Sequence, residues 1–200
     1  MNQEKPYYGK YRGLVEANED PKRLGRLKVA VPEVFGIGTS SWAVPCVPYA
    51  GPEVGWFAMP PVGADVWVEF EAGDPSRPIW TGCYWREGGL PLLAESAEVK
   101  LLVTEGTRVK IDDTPDVGGF ELVVGPPALP FVVTVTANET GLSISVPDSS
   151  IKILPESIVM SQAPAEVSIT PEVISSSVGS GTVTISEPTV SINEGALTID

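Results

Sequence analysis

The sequence predicts an all-β protein in two parts, a small barrel-like head followed by a long repetitive stack of short strands. Three observations point there. All five tryptophans and all five tyrosines of the 200-residue chain lie at or before Trp85, and beyond it the composition turns to Val/Ile/Ser/Thr alternations punctuated by proline. The charge breaks as well: residues 111–200 hold one basic side chain, Lys152, against twelve carboxylates, so eleven of the thirteen excess negative charges sit there. In both parts apolar residues recur at every second position, the period of a strand that buries one face.

In the head, strand-like stretches at residues 11–18, 25–31, 43–48, 63–70 and 78–85 are separated by turn signals. Leu27, Val29 and Val31 alternate with Arg26, Lys28 and Ala30, and Val66, Val68 and Phe70 alternate with Asp65, Trp67 and Glu69, as a half-buried antiparallel sheet requires. Asn18-Glu19-Asp20-Pro21 and Gly73-Asp74-Pro75 are turns, because Asn and Asp side chains bond nearby backbone and proline presets its own φ. Five strands is the count of a small closed barrel of the oligonucleotide/oligosaccharide-binding (OB) type. The expected division is a barrel over residues 1–88, a linker and lead-in over 89–110, and a strand stack over 111–200. Glu87-Gly88-Gly89-Leu90-Pro91 marks the break, and residues 92–102 fit either a turn or two of helix or the first strand.

Along the tail, apolar pairs at i and i+2 recur as Leu142/Ile144, Ile151/Ile153, Val167/Ile169, Val183/Ile185, Val190/Ile192 and Leu197/Ile199, with further clusters at Ile158-Val159 and Val173-Ile174. A spacing near eight is too short for a helical repeat and suits one short strand and one corner per segment. Pro147, Pro155, Pro164, Pro171 and Pro188 fall between the pairs, where no ladder donor is needed. With Phe120 and Phe131 as its only aromatics, one copy cannot offset the ordering entropy of about 1–2 kcal/mol per residue. Its strand edges would also stay open. Intertwining three copies, each strand pairing with a neighbouring chain, answers both problems and gives a homotrimeric β-helix needle on the order of 60 Å long at about 4.8 Å per strand. Residues 144, 151, 153, 167, 169, 183, 185, 190 and 192 are expected on its axis.

Composition excludes several function classes. The acidity argues against nucleic acid and against an anionic membrane held by charge. The chain contains no histidine, which removes Ser-His and Cys-His catalysis. Cys46 and Cys83, in apolar strand contexts, read as small buried side chains rather than as a bridge or a reactive pair, and without histidine they make a poor metal site. Asp112-Asp113 and Glu69/Glu71 are paired carboxylates, but neighbours on a strand point to opposite faces and do not share a substrate. Gly118-Gly119 and Gly179-Ser180-Gly181 lack the Lys-Ser/Thr of a phosphate loop and read as bends. No catalytic, metal-binding or cofactor-binding residue is expected, and no cofactor. Arg12, Lys22, Arg23, Arg26 and Lys28 form a basic cluster that could track a nucleic-acid strand or an oligosaccharide, with tryptophans as stacking platforms. The alternative is that these charges meet acidic neighbours while the tryptophans fill core and interfaces. Residues 1–10, MNQEKPYYGK, lack the pattern of an export signal, so a cytoplasmic product is expected.

The stretches YRGLVEANEDPKRLGRLKVAVP, WAVPCVPYAG and GWFAMPPVGADVWVEFEAGDPSRPIWTGCYW resemble, in order and spacing, the OB-fold of phage baseplate assembly protein V and of the valine-glycine repeat spike protein of type VI secretion. RVKIDDTP at residues 108–115 is similar to the Asp-Asp-Thr element where such spikes leave the barrel for their β-helix, without the histidine often found just ahead of it. The resemblance implies a non-enzymatic homotrimeric spike of a contractile injection machine, docked under a hub by its barrel, whose needle pierces the target envelope. About two dozen residues between Trp85 and Lys110 leave no room for the lysozyme domain of some relatives, and the absence of histidine rules out a histidine-ligated tip iron. The final ALTID lacks a sharpening motif, so a separate tip protein of the proline-alanine-alanine-arginine (PAAR) type is the expected cap. A glycan-binding or single-strand-binding module on a stalk, a tail-fibre adhesin and a cell-wall hydrolase are the rival readings.

Overall fold

The computed structural model describes residues 6–193 and 196–199, with the side chains of 198 and 199 left undescribed. The expectations placed on the first five residues, on the Ile199 side chain and on Asp200 lie outside this description. The chain is all-β and divides into two units, one ending at Leu90 and one starting at Pro91.

In the first unit, β1 (Tyr11–Ala17), β2 (Lys28–Ala30), β3 (Val44–Pro45), β6 (Asp65–Phe70) and β7 (Pro78–Cys83) form one sheet in the order β2-β1-β6-β7-β3. The sheet curls until its outer strands meet. Leu27 and Ala43, adjoining β2 and β3, exchange backbone hydrogen bonds of 3.0 and 2.7 Å. Val15, Leu27, Val29, Val31, Ala43, Val66 and Val68 are 0–1% exposed inside this curl, with Phe70 and Trp80 closing it. These include the two alternating triplets read from the sequence. Two elements carried no period and went unpredicted: a one-turn helix α1 (Pro32–Phe35), whose Val34 and Phe35 pack against the core, and a hairpin of β4 (Ala50–Gly51) with β5 (Val54–Gly55).

Asp20 organises the turn after β1. Its carboxylate accepts from the backbone N–H groups of Lys22 and Leu24 and takes the Arg26 guanidinium at 2.5 Å, with the Asp20 side chain 3% exposed. That charge-assisted pairing holds the Asp20 carboxyl well below the usual carboxylate range. The expected turn chemistry is present. At Gly13 an added Cβ would stand 2.9 Å from Val68 Cγ2, so β1 approaches β6 at a spacing only glycine permits.

The second unit is a meander of twelve strands in which each pairs antiparallel with the strands before and after it. They are β8 (Val99–Val103), β9 (Thr107–Asp112), β10 (Gly119–Val124), β11 (Val133–Asn138), β12 (Gly141–Val146), β13 (Ser149–Leu154), β14 (Ser157–Gln162), β15 (Ala165–Ile169), β16 (Val173–Val178), β17 (Gly181–Ser186), β18 (Thr189–Ile192) and β19 (Leu197–Ile199). The stretch that allowed helix or strand therefore holds strand from Val99. The ladder partners differ from those expected of intertwined chains. Two-residue turns such as Pro147-Asp148, Pro155-Glu156 and Ala163-Pro164 return the chain at once, so consecutive strands satisfy each other's backbone within one copy. The strands are mostly six residues long, because the polar residues beside each apolar pair also join the ladder.

Because connections alternate sides, the sheet has two unlike turn edges. The edge joining β9–β10, β11–β12, β13–β14, β15–β16 and β17–β18 carries Asp113, Asp116, Glu139, Glu156, Glu172 and Glu187. Among described residues the opposite turns carry only Glu105 and Asp148.

Candidate functional site

The cross-strand register turns the i, i+2 pairs of the tail into two columns on one face. One column runs through Leu102, Val109, Leu122, Val135, Ile144, Ile151, Met160, Val167, Ser176, Val183, Ile192 and Leu197, each opposite the next. The other runs through Ile111, Phe120, Ala137, Leu142, Ile153, Ile158, Ile169, Ile174, Ile185 and Val190. All nine positions expected on an axis lie in these columns. Neither column contains a charge over these residues, and Ser176 is their one polar member. The face is uncovered: Ile144, Ile151, Ile153, Met160, Ile174 and Ile185 are each between 42 and 47% exposed. The reverse face carries a file of Ser143, Lys152, Val159, Ser168, Ser175, Thr184 and Ser191. There Ser150 and Ser161 satisfy one another at 2.9 Å.

At the start of this unit, the Asp-Asp-Thr element forms the turn after β9. Asp112 Oδ1 accepts from the Thr114 backbone N–H at 3.1 Å and from its hydroxyl at 2.6 Å, while Oδ2 receives Lys110 Nζ at 2.8 Å. The Lys110 ammonium and the Thr114 donors hold the Asp112 carboxyl down to about 2. Asp113 pairs with Lys100 at 2.5 Å. A Cβ on Gly118 would stand 2.2 Å from the Asp112 carbonyl oxygen, so the glycine is demanded by close approach of backbone to backbone. In the head, Glu69 pairs with Lys10 and Glu71 with Arg77. The candidate carboxylate pairs are thus separated onto different cations.

Three of the five members of the basic cluster of the head lie on aromatic faces within the chain. The Arg26 guanidinium and the Lys28 ammonium sit 5.4 and 5.6 Å from the Trp42 ring, and Arg12 lies 5.4 Å from Tyr84 and 5.8 Å from Trp67. Trp80 is core, its indole N–H donating to the Gly25 carbonyl at 3.1 Å. Cys46 and Cys83 are free thiols, and they differ from expectation in that both are exposed. Cys46 follows the two-residue strand β3 at the rim of the curl, and Cys83 ends β7, so neither side chain turns inward.

Sequence reading missed one surface of the head. Leu24, Tyr49, Val54, Trp56 and Phe57 are 53–82% exposed around a groove of about 330 Å³ floored by Trp80 and Met59. Tyr49 and Trp56 extend the β4–β5 hairpin through a 2.9 Å backbone hydrogen bond, which fixes their side chains at its root. Clustered exposed aromatics of this kind are a protein-contact signature. The sequence signal was YAGPEVGWF, a proline-glycine turn flanked by aromatics.

A curled five-stranded head followed by an uncovered apolar sheet makes an all-β protein. Residues 11–85 match the sequence model of the family described as the type VI secretion system/phage-baseplate injector OB domain, so the head is similar to that domain. No curated protein matches the chain. Among the described residues no helix is long and apolar enough to cross a membrane, and no group of three or more potential ligands could hold a metal ion.

Proposed function

We propose that this chain is the central spike of a contractile injection machine, a homotrimer whose three tail sheets turn their apolar columns toward a common axis. The observation that carries this is the pair of columns, which present a dozen strands' worth of Val, Ile, Leu and Met to solvent in one copy. A patch of that length is far larger than soluble monomers leave open. Three copies around an axis cover it and place the Ser/Thr file and the acidic turns outside. The resulting prism, roughly 50 Å along the eleven spacings of about 4.8 Å between twelve strands, is a stiff rod that transmits axial force. Piercing of the target envelope is its mechanical role, with no catalysis.

The head docks on the hub of the baseplate in this reading, and the Trp56-Phe57 surface is the contact it offers. The family resemblance extends the assembly to a PAAR-type protein at the β19 end and to a place within an assembled particle. An OB module gripping nucleic acid or glycan is less well supported, because Arg12, Arg26 and Lys28 already lie on Trp42, Trp67 and Tyr84.

Light scattering of the purified full chain tests the proposal. A mass three times 21.2 kDa is expected; a stable single-chain mass would refute it. Electron microscopy of the native particle then locates the spike.

A further inference from the structure

Resting on the trimeric reading, we propose that Ser176 is the alignment determinant of the axis: its hydroxyl meets the hydroxyls of the other two copies in a single polar layer that tells one register from another. Both columns repeat so uniformly that a copy displaced by two strands, about 9.6 Å, would still set apolar side chains against apolar side chains. Uniform columns hold copies together without aligning them. Something must break the repeat.

Ser176 does so at one level. It faces Val167 on one side and Val183 on the other, and it lies on the exposed face with Ile174 and Val178, whereas Ser175 and Ser177 turn to the reverse face. Among the described side-chain hydrogen bonds, none engages its hydroxyl. On the reverse face Ser150 and Ser161 bond within the chain, but the column neighbours of Ser176 are both valines and offer nothing. With three copies aligned, each hydroxyl donates to one neighbour and accepts from the other. With one copy displaced by two strands, its hydroxyl is buried against Met160 or Ile192 and left unsatisfied, and so are its former partners. A buried unpaired hydroxyl is penalised more than a paired one is rewarded, which makes it a discriminator of alignment rather than a source of affinity. A single polar position in an apolar seam plays this part in coiled coils. The Phe120–Ala137 step supplies a second irregularity, the bulkiest column residue beside the smallest, and aligned copies keep large and small levels matched.

The test uses the full chain with Cys46→Ser and Cys83→Ser as background. Mass is measured first, so that failure of the trimer is seen separately. In a preparation of three-chain mass, Ser176→Cys is expected to cross-link copy to copy under mild oxidation, giving a linked pair and a single chain on a non-reducing gel, while Ser175→Cys does not. A three-chain particle without the residue-176 cross-link overturns the proposal. The second arm co-refolds Ile144→Cys chains with Met160→Cys chains. Linkage between 144 and 160, which needs a two-strand displacement, should be absent with Ser176 present and appear with Ser176→Val, whose trimer should also melt several degrees higher. Unchanged linkage and melting on Ser176→Val would equally overturn the assignment.

Discussion

Head and tail use the same alternation of apolar and polar residues and reach opposite outcomes. In the head, alternation on a sheet that curls onto itself buries Leu27, Val29, Val66 and Val68 to 0% exposure within one chain. In the tail, the same alternation on a sheet that continues through twelve strands leaves Ile151, Ile153 and Ile185 at 45–47%. The difference lies in the connections. The head has long loops, a one-turn helix and a bridge from Leu27 to Ala43 that bring its outer strands together, whereas two-residue turns let the tail strands do nothing but stack. Closure gives the head a core of its own; stacking leaves the apolar face of the tail open.

The largest way to break this comparison is Ile153→Asp. In a shared axis the change places three carboxylates together without partners, at a cost on the order of 3 kcal/mol or more per copy. Assembly should be lost and the measured mass should fall to that of one chain while the head keeps its near-ultraviolet signal. Leu27→Ala should do the reverse. A cavity in the closed core costs about 2–5 kcal/mol, so the tryptophan-monitored unfolding of the head should shift while the oligomeric mass holds. That transition should be independent of chain concentration, and the tail transition should rise with it.

A smaller effect concerns acid. The carboxyls of Asp20, Asp65, Asp74 and Asp112 are all lowered from 3.8, by Arg26, Arg86, Ser76 and Lys110 as their first causes. A depressed carboxyl stabilises the folded state above its unfolded value, and that contribution is lost as pH falls toward the folded value. Melting temperature should therefore be level from about pH 7 to 5 on this account and drop below about pH 4. Asp20→Asn should lower the head transition at neutral pH and narrow its gap to the parent as pH falls through 4. The least change in stability belongs to Trp56→Ser with Phe57→Ser. Exposed side chains contribute within about 0.5 kcal/mol, so fold and mass should be unchanged. Binding to the isolated hub, measured by interferometry, should fall at least tenfold.

Much of this architecture was legible in the residues. The five head strands stood out because turn signals separate them and the clearest of them alternate apolar with polar residues, and the corner prolines of the tail fixed where strands could not continue. The ladder partners were not legible, since an i, i+2 pattern is the same whether the next strand belongs to this chain or to another. Residues 173–178 show a finer limit. Val173-Ile174 looked like an adjacent apolar cluster, but Ile174 and Ser176 share the exposed face in neighbouring columns and Val173 faces away, so a serine hid the period. The cysteines misled for a related reason: apolar neighbours imply burial only where a strand is covered on both sides. The aromatic hairpin lacked a period altogether, and only its exposure reveals it.

The unlike turn edges of the tail sheet have a consequence for orientation. A ribbon with, among the described residues, six acids along one margin and two along the other has a handed charge distribution. Neighbours that point the same way around a shared centre bring a crowded margin beside a sparse one. Neighbours laid nose to tail bring crowded beside crowded, with no lysine along either margin beyond Lys100 to soften the repulsion. Directionality is thus written into the hairpin bends, and ribbons gathered around a shared centre would all run the same way.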